Sequence, residues 1–458
     1  MRISAAFLLL FSVAAVAQHA VAQQRPADIT GTVLNEGGQD PRIAVPDIRG
    51  LVGTDNERAF NNTLWNDLES SGRLEMVPKS LYPRIAPAKP EDLKSGRDFP
   101  SEPGARGLWL NGWAEPPTLA RYLVFGSLET QNDRLVLNGY VYDSTQEQTT
   151  QAYIFGKRYY AAMDKMGAEE IAHDFSRDIL MNLGLGMGLA GSRIYFVSDR
   201  TGHSEIFSMD YDGANVKQHT KYQSITTTPA VSPDGSKLAF TTYAEGTPKI
   251  FIHSLETGRR LAFLNQDASL NMTPSFTPDG KSIFYASSVT GRSQIYQADL
   301  DGRNLRRISY SRSLDLDPNV NPRTGAQIAF VSDVSGLPQV YVMDADGANV
   351  RKLSGGGGDA VQPAWDPQGQ NLAFSWTRGF EPGNYNVFVI NVATQKLVQL
   401  THGAGRNESP SWAPSGTHIV FSSDRSGGTQ IWTMTADGTQ PKRLTDQGRN
   451  RTPIWASR

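Results

Sequence analysis

Pro229-Ala-Val-Ser-Pro-Asp-Gly235 is the first of six related segments, and their spacing decides the fold. Its copies are Pro274-Ser-Phe-Thr-Pro-Asp-Gly280, Pro318-Asn-Val-Asn-Pro-Arg-Thr-Gly325, Pro363-Ala-Trp-Asp-Pro-Gln-Gly369, Pro410-Ser-Trp-Ala-Pro-Ser-Gly416 and Pro453-Ile-Trp-Ala-Ser457. The leading prolines stand 45, 44, 45, 47 and 43 residues apart. A period in that range matches one blade of four short strands in a β-propeller.

The same alignment exposes the other strands. The proline-led segment is strand a, with a bulky residue at Val231, Phe276, Val320, Trp365, Trp412 or Trp455. Strand b reads Ile194-Tyr-Phe-Val197, then Leu238-Ala-Phe, Ile283-Phe-Tyr, Ile328-Ala-Phe, Leu372-Ala-Phe and Ile419-Val-Phe. Strand c follows as Ile206-Phe, Ile250-Phe, Ile295-Tyr, Val340-Tyr, Val387-Phe and Ile431-Trp. Strand d is short and basic, as in Arg306-Arg-Ile and Lys442-Arg-Leu. β-Branched and aromatic runs parted by Asp-Gly turns obey hairpin rules. The b-to-c offset is 12 residues in five repeats and 15 in the fifth, where Arg378 to Tyr385 intervene. The first b–c–d set lacks a strand a, and Pro453–Ser457 lacks a b–c–d set. The last segment is therefore expected to complete the first blade and close a six-bladed ring, leaving only short sheet edges.

Before the repeats the pattern is mixed. A short strand at Arg42–Pro46 precedes a helix predicted from about Asp55 to Glu69. Pro83 to Pro117 reads as a long loop. Strands follow at Tyr122–Ser127, Arg134–Tyr142 and Gln151–Lys157. A helix from about Met166 to Leu183 carries Ile171, Phe175, Ile179 and Leu183 at four-residue spacing. The expected fold class is mainly β: a small α/β domain over 41–188, then a six-bladed propeller over 191–458.

At the N-terminus, Arg2, the apolar run Phe7–Val16 and Ala20-Val-Ala22 form a secretory signal, predicted to occupy 1–22, with Ala15-Val-Ala17 as the alternative cleavage site. Residues 23–40 would be an N-terminal arm. The chain contains no cysteine, so disulfides, thiol chemistry and a cysteine-linked lipid are excluded. A net charge of -2 argues against a nucleic-acid partner, which selects for excess Lys and Arg.

Several motifs imitate chemistry without supplying it. Asp344-Ala-Asp-Gly347 lacks the third acid and the distal Glu of a calcium loop, so it reads as a turn. No Gly-x-Ser-x-Gly nucleophile motif occurs, and the histidines are scattered without metal-ligand spacing. Gly355–Gly358 leads into a strand rather than a helix, unlike a phosphate cradle. No catalytic residue, metal or cofactor is expected.

What remains is a surface. Antiparallel order places the a–b and c–d turns on one face and the b–c loops and d–a crossovers on the other. The crossovers reach the channel mouth because strand a is innermost. Its rim is expected to carry Thr227 and Thr228, Asn271 and Thr273, Asp315 and Asp317, Asp359 and Gln362, Asn407 and Glu408, and Asn450 and Thr452. Variable loops on a rigid scaffold are where binding concentrates. A glycan-acting propeller enzyme is the other reading, with Asp315, Asp317, Asp359 and Glu408 as candidate paired acids.

The proline-led repeats, Ser198-Asp-Arg-Thr-Gly202, Ser423-Asp-Arg-Ser-Gly427, the terminal Pro453-Ile-Trp-Ala456 and the order of segments resemble the TolB family of the Tol–Pal envelope system. This resemblance implies a non-enzymatic, monomeric adaptor in the periplasm that meets membranes only through its partners. It implies that the outer-membrane lipoprotein Pal binds the channel mouth, chiefly at Leu270, Thr273, Leu316 and Asp317. It also implies that inner-membrane TolA binds the arm at Asp28, Ile29, Thr30, Val33 and Leu34. Colicin-type toxins are a further partner class by the same resemblance.

Overall fold

The computed structural model describes residues 40–50, 54–96, 98–186, 188–379 and 383–457. The predicted signal and the arm positions Asp28, Ile29, Thr30, Val33 and Leu34 lie outside the described residues.

Six four-stranded antiparallel sheets form the propeller. Strands a to d of blade 4 are Asp315–Val320, Gln327–Ser332, Gln339–Asp344 and Arg351–Lys352, and the other blades repeat this order. Blade 1 takes its strand a from Asn450–Ser457, which pairs with Ser192–Ser198. Neighbouring inner strands are stitched to each other by side chains. Ser275 Oγ accepts from Val320 N at 3.2 Å, and Asn319 Oδ1 accepts from Trp365 N at 2.9 Å. At the closure, Ser411 Oγ accepts from Trp455 N at 3.0 Å, and Trp455 Nε1 donates to Ser192 Oγ at 2.8 Å. Phe276, Trp365, Trp412 and Trp455 are buried between blades, so the aromatic series is core.

The preceding unit is a five-stranded sheet. Strands β1 (Arg42–Ala44) and β2 (Glu75–Met76) pair in parallel, and β1 also pairs in parallel with β3 (Tyr122–Gln131). Antiparallel β4 (Arg134–Asp143) and β5 (Tyr153–Ala162) complete it. Helix α1 (Asp55–Ser70) starts at Thr54, whose hydroxyl accepts from Glu57 N. Helix α2 is the single turn Thr149–Ala152, and α3 (Lys165–Asn182) starts at Asp164. The four-residue spacing in α3 buries Ile171, Phe175 and Ile179 against one sheet face. Gly139 in β4 allows this, since a Cβ there would stand 2.6 Å from the Phe175 ring.

Pro83 to Pro117 differs from its reading as a loop. It contains short 3-10 turns at Pro90–Asp92, Pro103–Leu108 and Leu110–Trp113. These press Leu110 and the fully buried Trp113 onto the second sheet face, against Leu123 and Phe125. Without that cover the face would stay wet. Proline-rich 3-10 segments have no helical or strand period, so pattern reading misses them.

A buried polar cluster joins the two units. His173 of α3 lies 2.8 Å from Asp67 of α1 and 3.5 Å from Asp210 of blade 1. Asp67 also accepts from Ser176 Oγ at 2.7 Å and from Tyr211 OH at 2.9 Å. Asp210 in turn accepts from Arg193 Nε at 2.9 Å and Asn215 Nδ2 at 2.7 Å. Burial alone would push the imidazole down, but the hydrogen bonds to Asp210 and Asp67 outweigh it and raise His173 to about 10. Burial likewise opposes ionisation of Asp210, yet His173 and Arg193 hold it at about 2. Removing one member of such a buried set typically costs about 3–5 kcal/mol.

The His173 contribution is complete below its ordinary value of 6.5 and is lost as pH rises through about 10. The Asp210 contribution is complete above 3.8 and is lost as pH falls through about 2. Calorimetric Tm should therefore decline between pH 6.5 and 10 in the native chain. In His173→Gln the Tm should be lower at pH 6 and the alkaline decline shallower. Parallel declines in the two chains would refute this account.

Candidate functional site

The channel is built by one irregularity repeated six times. In every blade strand a advances three residues while strand b advances two, as from Met272 to Ser275 against Ala286 to Phe284. The cause is the leading proline, which has no N–H to give to the ladder. The extra residue of each bulge stands just before that proline and adopts left-handed backbone geometry. These residues are Thr228, Thr273, Asp317, Gln362, Ser409 and Thr452, with φ of 46°, 55°, 50°, 57°, 54° and 45°. Such geometry disfavours non-glycine residues, above all β-branched threonine. Bulges re-aim side chains, and here all six line the upper channel, a cavity of about 180 Å³. Below it the channel widens to about 430 Å³ between the six strands a.

The ring is partly satisfied from within. Thr228 Oγ1 lies 2.7 Å from Thr241 Oγ1, and Gln362 Oε1 accepts from Ser375 Oγ at 2.8 Å and Ser409 N at 2.9 Å. By contrast, buried Thr273 Oγ1 and Thr452 Oγ1 have no hydrogen-bond partner among the described residues. Asp317 is half-buried in the channel wall and keeps some solvent contact through the channel. Burial pushes its carboxyl up to about 6, with no hydrogen bond or charge to offset it.

Of the residues expected at the mouth, Thr273, Asp317 and Gln362 enter this ring, as do Thr228 and Thr452. Ser409 was missed, although it occupies the same position before Pro410 as the others before their prolines. Asn271 is fully buried and accepts from Ser287 Oγ at 2.8 Å. Asp315 is also fully buried and lines a separate cavity between blades 3 and 4. Both precede the bulge residue by two positions, and the bulge turns them away from the axis. Leu270 and Leu316 are half-buried against the core shared by blades 3 and 4. Glu408 is half-buried, and burial raises its carboxyl.

These positions bear on the paired-acid arrangement. Of Asp315, Asp317, Asp359 and Glu408, only Asp317 lines the channel cavity. Among the described residues no cluster of three or more His, Asp or Glu is placed to hold a metal. The Asp-Gly turns are self-contained: Asp346 Oδ1 accepts from Ala348 N, and Asn349 donates to Asp344. No helix among the described residues is long and apolar enough to cross a membrane.

Because the Asp317 carboxyl sits above its ordinary value of 3.8, its ionisation opposes folding. Stability from this group is greatest below pH 3.8 and falls as pH rises through about 6. Asp317→Asn should therefore raise the calorimetric Tm at pH 7.5 and leave it nearly unchanged at pH 4. An equal gain at both values would mean that charge is not the cause.

The family described as "TolB beta propeller domain" matches residues 186–379 and 357–458, more than half of the chain. "Protein TolB homolog" of Chlorobium chlorochromatii (strain CaD3) is 37% identical over 201 residues, 44% of this chain and 44% of that protein. "Tol-Pal system protein TolB" of Geobacter sulfurreducens is 33% identical over 211 residues, 46% of this chain and 44% of that protein. The alignments thus span less than half the length of these curated relatives. The crystal structure of TolB from Acinetobacter baumannii superposes with a TM-score of 0.68, covering 92% of this chain and 98% of that one at 24% identity. This likeness is one of fold, and it extends over both units. Six proline-led blades closed by the last strand, a small α/β unit ahead of them and a matching family profile lead to one conclusion: the chain belongs to the TolB beta-propeller family.

Proposed function

We propose that the chain is a periplasmic, non-catalytic adaptor of the Tol–Pal envelope system. The observation that carries this reading is the channel mouth. Six strained residues aim polar side chains at one cavity, and Thr273, Asp317 and Thr452 leave hydrogen-bonding capacity unused. Folding gains nothing from this arrangement, whereas a docked partner would. Membership of a family whose relatives bear the name Tol-Pal system protein supports the same reading.

In this account the outer-membrane lipoprotein Pal docks at the mouth through Thr273, Asp317 and Gln362, with Leu270, Leu316 and Glu408 around them. Inner-membrane TolA engages the arm at Asp28 to Leu34. Together the two contacts tie the outer membrane to the envelope as the cell constricts. The signal at 1–22 supports export to the periplasm. Pal and TolA would influence each other's affinity through the arm, and such coupling is reciprocal.

Titration calorimetry with the periplasmic domain of the organism's own Pal tests the site. Thr273→Arg and Asp317→Arg should each weaken binding at least tenfold, about 1.4 kcal/mol. Saturable binding untouched by either substitution would move the site elsewhere. Deleting residues 28–34 should abolish TolA binding and leave Pal binding intact. Loss of both, with an unchanged melting curve, would rule out separate sites.

A further inference from the structure

Blades 1 and 6 each hold one of their own arginines in a defined seat. In blade 1 the guanidinium of Arg200 lies over Phe196 and Phe207, 5.4 and 5.0 Å from the ring centroids. Its Nε donates to Ser198 Oγ at 2.9 Å, and its Nη2 donates to Asn450 Oδ1 at 3.1 Å. Blade 6 repeats the seat with Arg425 over Phe421 and Trp432, at 5.2 and 5.0 Å. There Nε donates to Ser423 Oγ at 3.0 Å and Nη2 to Asn407 Oδ1 at 2.6 Å. Two aromatic rings, a serine at the end of strand b and the first residue of strand a therefore make a guanidinium site.

Blade 4 keeps the seat and changes the occupant. Asp315 pairs with Ser332 as Asn450 pairs with Ser198 and Asn407 with Ser423. Phe330 pairs with Tyr341 as Phe196 pairs with Phe207. The ring centroids are 5.8 Å apart at 31°, against 6.2 Å at 27° in blade 1. Where blades 1 and 6 read Ser-Asp-Arg, blade 4 reads Ser332-Asp333-Val334. The valine is too short to lie over the rings and is 53% exposed. A cavity of about 330 Å³ touches Asp315, Phe330, Ser332, Tyr341, Val334 and Tyr310. At its floor Asp315 is 1% exposed, and neither carboxyl oxygen has a hydrogen-bond partner among the described residues. At its rim Tyr310 is 72% and Val350 56% exposed.

The remaining blades resolve the position differently. In blade 5, Ala360 stands opposite Trp376, whose ring packs against both Phe374 and Phe388. In blade 3, Asn271 is bound by Ser287, and in blade 2, Thr226 and Thr242 share a 3.2 Å contact. Only blade 4 has an acid at this position.

We propose that the blade 4 pocket binds a guanidinium group brought from outside, the end of an arginine side chain or of a free arginine-like molecule. The Asp315 carboxyl can accept two parallel N–H bonds from that group, a geometry that suits guanidinium better than ammonium. Phe330 and Tyr341 supply the ring faces that hold a cation. The apolar collar of Tyr310, Val334 and Val350 covers the methylene stem. An unpaired buried carboxyl opposes folding, so the acid is explained by what it binds. This inference stands apart from the Pal and TolA assignments, since its probes are arginine derivatives.

The test titrates the full chain with Nα-acetyl-arginine methylamide and with an acetylated peptide bearing one arginine. Lysine and citrulline counterparts serve as controls, and calorimetry and ligand-detected NMR are the readouts. Both arginine probes should saturate, citrulline should fail, and Asp315→Asn should weaken binding at least tenfold. Tighter binding of the peptide identifies a protein side chain as the source, and equal affinity identifies a small molecule. Val334→Arg should abolish probe binding and raise the Tm by supplying a tethered guanidinium as in blades 1 and 6. The Asp315→Ala background should cancel that gain in Tm. Absence of saturable arginine binding overturns the proposal. So does binding that lysine matches, or binding that survives both Asp315→Asn and Val334→Arg.

Discussion

The antiparallel pairing of Asn450–Ser457 with Ser192–Ser198 is the contact on which the remaining propeller depends. It joins strands more than 240 residues apart and turns a row of sheets into a ring. Without it, strand b of blade 1 would present an unpaired inner edge, which water or another chain would compete for. With it, the stitches between inner strands run from Ser275 through Asn319 to Ser411, and Phe276, Trp365, Trp412 and Trp455 are each sealed against the preceding blade. Closure also makes the channel a fixed enclosure rather than a cleft that could open.

That enclosure gives the left-handed residues their meaning. Each bulge costs on the order of 1–3 kcal/mol in backbone strain, so one alone would be expendable. Six together aim Thr228, Thr273, Asp317, Gln362, Ser409 and Thr452 at a single axis, which no regular strand could do. Prolines enforce the geometry by withholding an N–H from the ladder at each site. The same residues that mark the repeat in the sequence therefore also build the mouth. A half-enclosed carboxyl at Asp317 and unpaired hydroxyls at Thr273 and Thr452 are stability forgone. Such losses persist where a surface is kept for recognition.

The α/β unit is attached by different physics. Its contact with blade 1 is polar and buried, with His173 held between Asp67 and Asp210. Charged hydrogen bonds of this kind are directional, so they specify one relative placement where an apolar contact would tolerate sliding. The arrangement holds the unit against the Asp-Gly turn face of blade 1, since Tyr211 and Asn215 belong to the c–d turn. The b–c loops and crossovers on the opposite face remain available for partners.

Much of this was legible in order along the chain. The proline period determined six blades, and the unmatched first and last segments determined how the ring closes. Four-residue spacing at Ile171, Phe175 and Ile179 located α3 and its buried face. The position before each proline located Thr273, Asp317 and Gln362, because a repeated local constraint acts the same way in every copy. Tertiary structure decided the rest. Alternation would have put Asn271 and Asp315 beside Thr273 and Asp317, but the bulge adds one residue and reverses their direction. Pro83 to Pro117 became a packed cover because a sheet face needed burying, a demand that its own residues do not display. The seat around Asp315 and the cluster around His173 join side chains from separate strands and helices, and His173 meets Asp67 across 106 residues. Periodicity is a property of the backbone and can be read locally. Which polar groups are buried together depends on where distant elements meet, and only the folded chain sets that.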